Sequence, residues 1–256
     1  MDSHPKPHPS RPWRFLVPLF LVSWLLLLFD LEGKSLWTDE LFTAEWARLS
    51  FEALIQRTAA DVHPPLYFLL VSAWTRWSGF SDFALRWPSV AAAWLSIPLL
   101  YRLGRAWKGP RVAGISAMLW GIAPVVILYG RMARYYSLAA FLGLLATVAL
   151  WEALTTNKRR HWIAYILASS AAVYTFYLTA LLLISHGGLV LTFRSKRKLL
   201  FWLAAGTLSA LTLAPWIPIV LDQTVSTRQG AADLSYSVTG LVLKVAYTVY
   251  SLALGE

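Results

Sequence analysis

The sequence predicts an all-α, polytopic membrane protein, and three observations carry that prediction. The chain is 57% hydrophobic with only 14% of its residues charged, its apolar runs recur along the whole length, and its Lys and Arg collect in short clusters between those runs. A soluble domain of this size needs far more charged surface. The clusters are what membrane proteins use to hold loops on the cytoplasmic face. A net charge of +10 could suit nucleic acid, but charge divided among short inter-span clusters forms no continuous binding face, which argues against that partner. With no cysteine, a disulfide framework and thiolate metal sites are excluded. The 14 Trp and 11 Tyr fit membrane interfaces, where one edge of a ring is buried and the other wet.

Taken in order, residues 1–14 read as a Pro-rich, basic cytoplasmic tail. Residues 15–31 read as the first span rather than a secretory signal, because Asp30-Leu31-Glu32-Gly33-Lys34 offers no small-residue cleavage site. Further apolar runs near bilayer length follow at 87–101, 112–129, 137–154, 162–176, 178–193 and 199–221, with a weaker one at 238–254. The basic clusters Arg102-Arg105-Lys108-Arg111, Lys158-Arg159-Arg160 and Arg194-Lys196-Arg197-Lys198 all fall on the cytoplasmic side if residues 63–77 do not cross. That stretch is short, carries Arg76 and opens on Pro64-Pro65, so it reads as a helix lying in the outer interface with proline in its first turn. If it crossed, the Arg102 to Arg111 cluster would be placed outside.

Seven of the thirteen acidic residues lie between Asp30 and His63, in the loop after the first span. Membrane insertion needs no acid there, so their concentration points to chemistry or ion binding, with Asp39-Glu40 as the candidate centre. The same topology brings Asp61, His63, Arg86, Arg131, Arg134, Tyr135 and Tyr136 to span ends on that non-cytoplasmic side. Arginine forks suit phosphate oxygens, and a neighbouring carboxylate can take a proton from a hydroxyl or amine. His63 with Asp61 could complete an oxygen and nitrogen cation site. Each residue also has an ordinary reading: Asp39 and Glu40 as solvated loop charges, the arginines as snorkelling anchors, His63 as a helix cap. His186-Gly187-Gly188 reads as helix packing through small residues.

Four segments in order carry a family resemblance: Trp37-Thr38-Asp39-Glu40, His63-Pro64-Pro65-Leu66-Tyr67, Phe83-Ala84-Leu85-Arg86-Trp87-Pro88-Ser89 and Arg131-Met132-Ala133-Arg134-Tyr135-Tyr136-Ser137-Leu138. Together they resemble the N-terminal half of the GT-C glycosyltransferases, in the branch of the protein O-mannosyltransferases and lipid A aminoarabinose transferases, the dolichyl-phosphate-mannose-protein mannosyltransferase family. The resemblance implies a GT-C-like core over 15–221 with about seven transmembrane helices, interfacial helices in the first external loop, and a catalytic loop at 32–86. It implies a polyprenyl-phosphate-linked sugar as donor, an acceptor protein or lipid outside the cytoplasm, and inverting transfer. Asp39 matches the family's catalytic acid, with Glu40 beside it; Arg134, Arg131, Arg86 and Tyr135 are the candidate donor-phosphate residues, and His63 and Asp61 the candidate ligands of a divalent cation. The implied location is a bacterial inner membrane with the site facing the periplasm. Relatives often carry an acid before the arginine of the last segment, where this chain has Met132-Ala133. They are also longer, so residues 222–256 are expected to be an external loop and the start of a further span, with the chain continuing.

Two other classes stay open. A transporter or lipid flippase would place ionisable groups mid-membrane in broken helices. A non-catalytic subunit with the same fold would pack against other membrane subunits.

Overall fold

The computed structural model describes residues 13–223, and among these every regular element is helical. The candidate span at 238–254 lies outside the described residues. The elements are α1 (Trp13–Leu28), α2 (Thr38–Ala47), α3 (Phe51–Ala59), α4 (Leu66–Ser78), α5 (Asp82–Lys108), α6 (Pro110–Ile122), α7 (Pro124–Gly130), α8 (Tyr136–Thr156), α9 (Arg159–Thr175), α10 (Thr179–Thr192) and α11 (Lys196–Thr212), followed by a short 3-10 turn at Ala214–Trp216.

Helix α5 is the spine. The Ser81 hydroxyl caps its start by accepting from the Ala84 amide at 3.1 Å, with Asp82 in the first turn against the positive end of the helix. It ends at Gly109, whose φ of 89° lies where a side chain would be strained, and Pro110 then opens α6. Its 27 residues amount to about 40 Å, enough to pass a hydrocarbon core of about 30 Å. It packs along α6 and α8, and α8 along α9.

Helices α5 and α8 are long and apolar enough to cross a membrane, and up to four crossings result if each of two bent pairs is one span. Two helices long and apolar enough to cross, with shorter apolar ones beside them, suit a membrane, but length and hydropathy do not reproduce the expected seven crossings. The shortfall has physical causes. Helices α1 and α10 stop at 16 and 14 residues, and α9 opens on Arg159-Arg160-His161. The run at 112–129 is not one helix. Pro124 has no N–H to give, and Ala123 before it turns extended (ψ 127°), so α6 and α7 meet at 54°. The run at 199–221 likewise bends by 43° where Pro215 follows Ala214.

Helix α4 has 13 residues, about 20 Å, too short to span. It packs against α2 and α5, so that Trp46, Leu54, Tyr67, Phe68, Val71, Leu85, Ala133 and Tyr135 form one buried cluster beneath the first loop. A second close approach sets the opposite wall. A Cβ at Gly130 would lie 2.7 Å from Leu27 Cδ2 and 3.1 Å from the Ala93 Cβ, so glycine lets the end of α7 press onto α1 and α5.

Candidate functional site

Helix α2 begins at Thr38, which puts Asp39 and Glu40 in its first turn, where the helix dipole favours carboxylates. Successive helical residues point about 100° apart. One of the pair therefore turns inward and the other outward.

Glu40 turns inward and is 1% exposed. Its Oε1 accepts from Arg86 Nε at 2.9 Å and from the Ala133 amide at 2.7 Å; its Oε2 accepts from Arg86 Nη2 at 2.8 Å and the Trp37 amide at 3.4 Å. The remaining Arg86 N–H groups go to the carbonyls of Leu31, Lys34 (3.0 Å) and Ser35 (3.4 Å). All five guanidinium donors are thus taken. Buried charges paired this fully act as structure: the carboxylate joins the first loop, α5 and the strip between α7 and α8, and Arg86 has no donor left for a phosphate.

Asp39 turns outward, with 37% of its side chain exposed. Arg134 comes to it from the strip Arg131–Tyr135, which Glu40 holds through Ala133. Arg134 Nη2 lies 3.6 Å from Asp39 Oδ2, and Nη1 donates to the Asp39 carbonyl at 3.3 Å. The same Nη2 lies 3.3 Å from His63 Nε2, while His63 Nδ1 is 2.8 Å from Asp61 Oδ1. A guanidinium only donates, so Nε2 is the acceptor in that contact, and the Nδ1–H donates a hydrogen bond to Asp61. Arg134 is 5% exposed, and its Nε–H is buried with no partner. Its guanidinium also sits 5.0 Å from the Tyr135 ring centroid.

Arg131 points elsewhere. Its Nη2 donates to the carbonyls of Phe29 (2.5 Å) and Asp30 (2.9 Å), the open end of α1. It lines a cavity of about 570 Å³ with Lys34, Trp37, Ile127, Leu128 and Met132. Lys34 was not singled out from the sequence. Tyr135 is buried between His63 and Phe176, and burial pushes its hydroxyl above a phenol's ordinary value, with Tyr136 adding and Arg134 opposing. It therefore stays protonated.

The structure brings Asp39, Arg134, His63, Asp61 and Tyr135 together, and sets Glu40 with Arg86 as a buried tie beside them. Ser89 was also missed: its hydroxyl donates to the Arg134 carbonyl at 2.9 Å and lies 2.9 Å from the Tyr67 hydroxyl. The spacing from Arg86, i to i+3 on one helix face, is the signal that could have found it. As cation ligands His63 and Asp61 fit poorly. Among the described residues no third His, Cys, Asp or Glu joins them, and the one His63 nitrogen not turned to Asp61 faces a guanidinium.

A model of the family described as dolichyl-phosphate-mannose-protein mannosyltransferase matches residues 62–219. No curated protein and no solved structure matches the chain.

Proposed function

The chain belongs to the dolichyl-phosphate-mannose-protein mannosyltransferase family, and on that premise we propose that it moves a sugar from a polyprenyl-phosphate donor to an acceptor protein or lipid outside the cytoplasm, by inverting displacement. The membrane class and the glycosyltransferase class come with the family. The observation that supports the finer reading is the pair Asp39 and Arg134: an accessible carboxylate 3.6 Å from a buried guanidinium that keeps one N–H unpaired.

In this reading the acceptor oxygen attacks the anomeric carbon and the carbon–oxygen bond to the phosphate breaks. The acceptor proton goes to Asp39, and the polyprenyl phosphate leaves with its negative charge toward Arg134. So good a leaving group needs no general acid. His63, oriented by Asp61, and the Tyr135 ring hold the guanidinium from the other side. Arg131 and Lys34 are further cations on the wall of the neighbouring cavity, which Asp30 also lines, and they suit a phosphate whose prenyl chain lies along Ile127 and Leu128. Helix α4 lies in the outer interface, and the site faces the periplasm of a bacterial inner membrane. No step is routed through a divalent cation.

The test is turnover of a polyprenyl-phosphate sugar by the full protein in lipid. Asp39→Asn should lower it by a factor on the order of 10²–10⁴ while donor binding persists, the usual size of a general-base contribution. Equal turnover in both proteins would assign the base elsewhere.

A further inference from the structure

A second polar pocket lies at the far end of the bundle. Arg102 is 16 residues along α5 from Arg86 (102 − 86), and Glu152 is 16 residues along α8 from Tyr136 (152 − 136), so both sit about 24 Å down their helices from the candidate site. There the ends of α5 and α8 and the start of α9 enclose a pocket of about 300 Å³.

Its chemistry is cationic. Arg102, Lys158, Arg160 and His161 line it against one carboxylate, Glu152. Glu152 Oε1 takes Arg102 and its Oε2 takes His161 Nδ1 at 2.9 Å, while Arg160 Nε donates to His161 Nε2 at 3.3 Å. The carboxylate thus draws basic groups from α5 and α9 onto one wall instead of letting them spread into solvent. The turn that closes the pocket is tight. Asn157 caps α8 in the left-handed region (φ 53°) with its amide on the Ala153 carbonyl at 3.0 Å, and this sets Lys158 beside Thr155 and Thr156 at the rim. Three permanent cations facing one anion leave a surplus of two positive charges in a concave site at a span end. Topology alone asks for basic residues there, not for a shared pocket built by three helices.

We propose that this pocket binds a phosphate group, and specifically the headgroup of an anionic phospholipid whose acyl chains lie along the apolar faces of α5 and α8. Lys158 and the Arg160 N–H groups that His161 does not take are the contacts to the ligand, and Arg102 and His161 are the preset wall. The site is independent of the reaction proposed at Asp39.

The experiment compares lipid retention by the whole protein, extracted from vesicles of phosphatidylcholine containing phosphatidylglycerol and weighed as an intact complex. Phosphatidylglycerol should be retained over phosphatidylcholine. Lys158→Gln with Arg160→Gln should weaken that retention roughly thirty-fold, two lost charge-assisted contacts, while Lys196→Gln with Arg197→Gln, an equal charge loss at the start of α11, should change it by no more than about threefold. Both substituted pairs are exposed, so folding is expected to survive, and a helical circular dichroism spectrum checks it. Equal loss in the two double variants would mean diffuse attraction and overturn the proposal, as would retention of both lipids alike. Inorganic phosphate displacing phosphatidylglycerol at millimolar concentration would assign the phosphate chemistry to a soluble ion and overturn the lipid assignment.

Discussion

Asp39 and Glu40 are neighbours in the chain and opposites in the fold: Glu40 spends both oxygens on Arg86 and two backbone amides, while Asp39 keeps an exposed carboxylate facing Arg134. An acidic pair that reads as one feature is two. The buried member builds the frame on which the exposed member meets its arginine.

Glu40→Gln should therefore show itself in stability. Removing one partner of a buried, hydrogen-bonded ion pair costs about 3–5 kcal/mol. Thermal unfolding in detergent should reveal a marked drop, whereas Glu45→Gln, exposed on the same helix, should stay within about 0.5 kcal/mol of the parent. Equal stability of the two variants would show that the tie is dispensable.

At Arg134 the side chains should rank by fork geometry. Donor-lipid binding should fall from Arg to Lys to Ala, because an ammonium replaces a planar donor set only in part. A mere interfacial anchor would accept Lys without loss. Binding by Arg134→Lys as tight as the parent's would remove the phosphate role from this residue.

The side on which α4 lies can be read by labelling, since the chain has no cysteine of its own. Ser50 and Ser81 cap helices, so Gln56→Cys before α4 and Ser78→Cys at its end are the better probes, with Lys108→Cys for the opposite face. Gln56→Cys and Ser78→Cys should react with an impermeant maleimide from the same side, and Lys108→Cys only after permeabilisation. Opposite sides for the first two would make α4 a crossing helix.

Gly130→Ala should be costly although the position lies beside a loop. The added methyl would meet Leu27 and Ala93 inside contact distance, and overpacking of this kind costs about 1–3 kcal/mol. The loss would appear as a lower unfolding midpoint, and an unchanged midpoint would show that α1 can give way.

Much of the helical plan is legible in the apolar runs, because a bilayer imposes length on any helix that crosses it. Two of the runs mislead because proline bends them, Pro124 and Pro215 breaking stretches whose hydropathy is continuous, while α1 and α10 are short and α9 opens on charged residues. The meeting of Asp39, His63 and Arg134 follows from span ends sharing a face. What the sequence could not convey is which acid of the pair is buried. That depends on the orientation of α2 on α4, which in turn packs on α5, and it is set by the packing of Trp46, Tyr67 and Leu85 rather than by anything within Asp39-Glu40. Arg86 looked like a phosphate ligand for the same reason, since its five acceptors come from carbonyls and a carboxylate distant in the chain.

The reach of the Glu40 tie also bears on how the protein is made. Its partners lie 46 residues downstream at Arg86 and 93 downstream at Ala133. At about 5–20 residues per second, a ribosome needs some 5–20 s after Glu40 to deliver Ala133. For about the first half of that interval, until Arg86 follows, the loop after α1 carries a carboxylate without its counter-ion, and the tie stays incomplete until Ala133 arrives. The loop that bears Asp39 is therefore the first part of the candidate site to be translated and among the last to be secured, and that window is when a chaperone or a protease would find it.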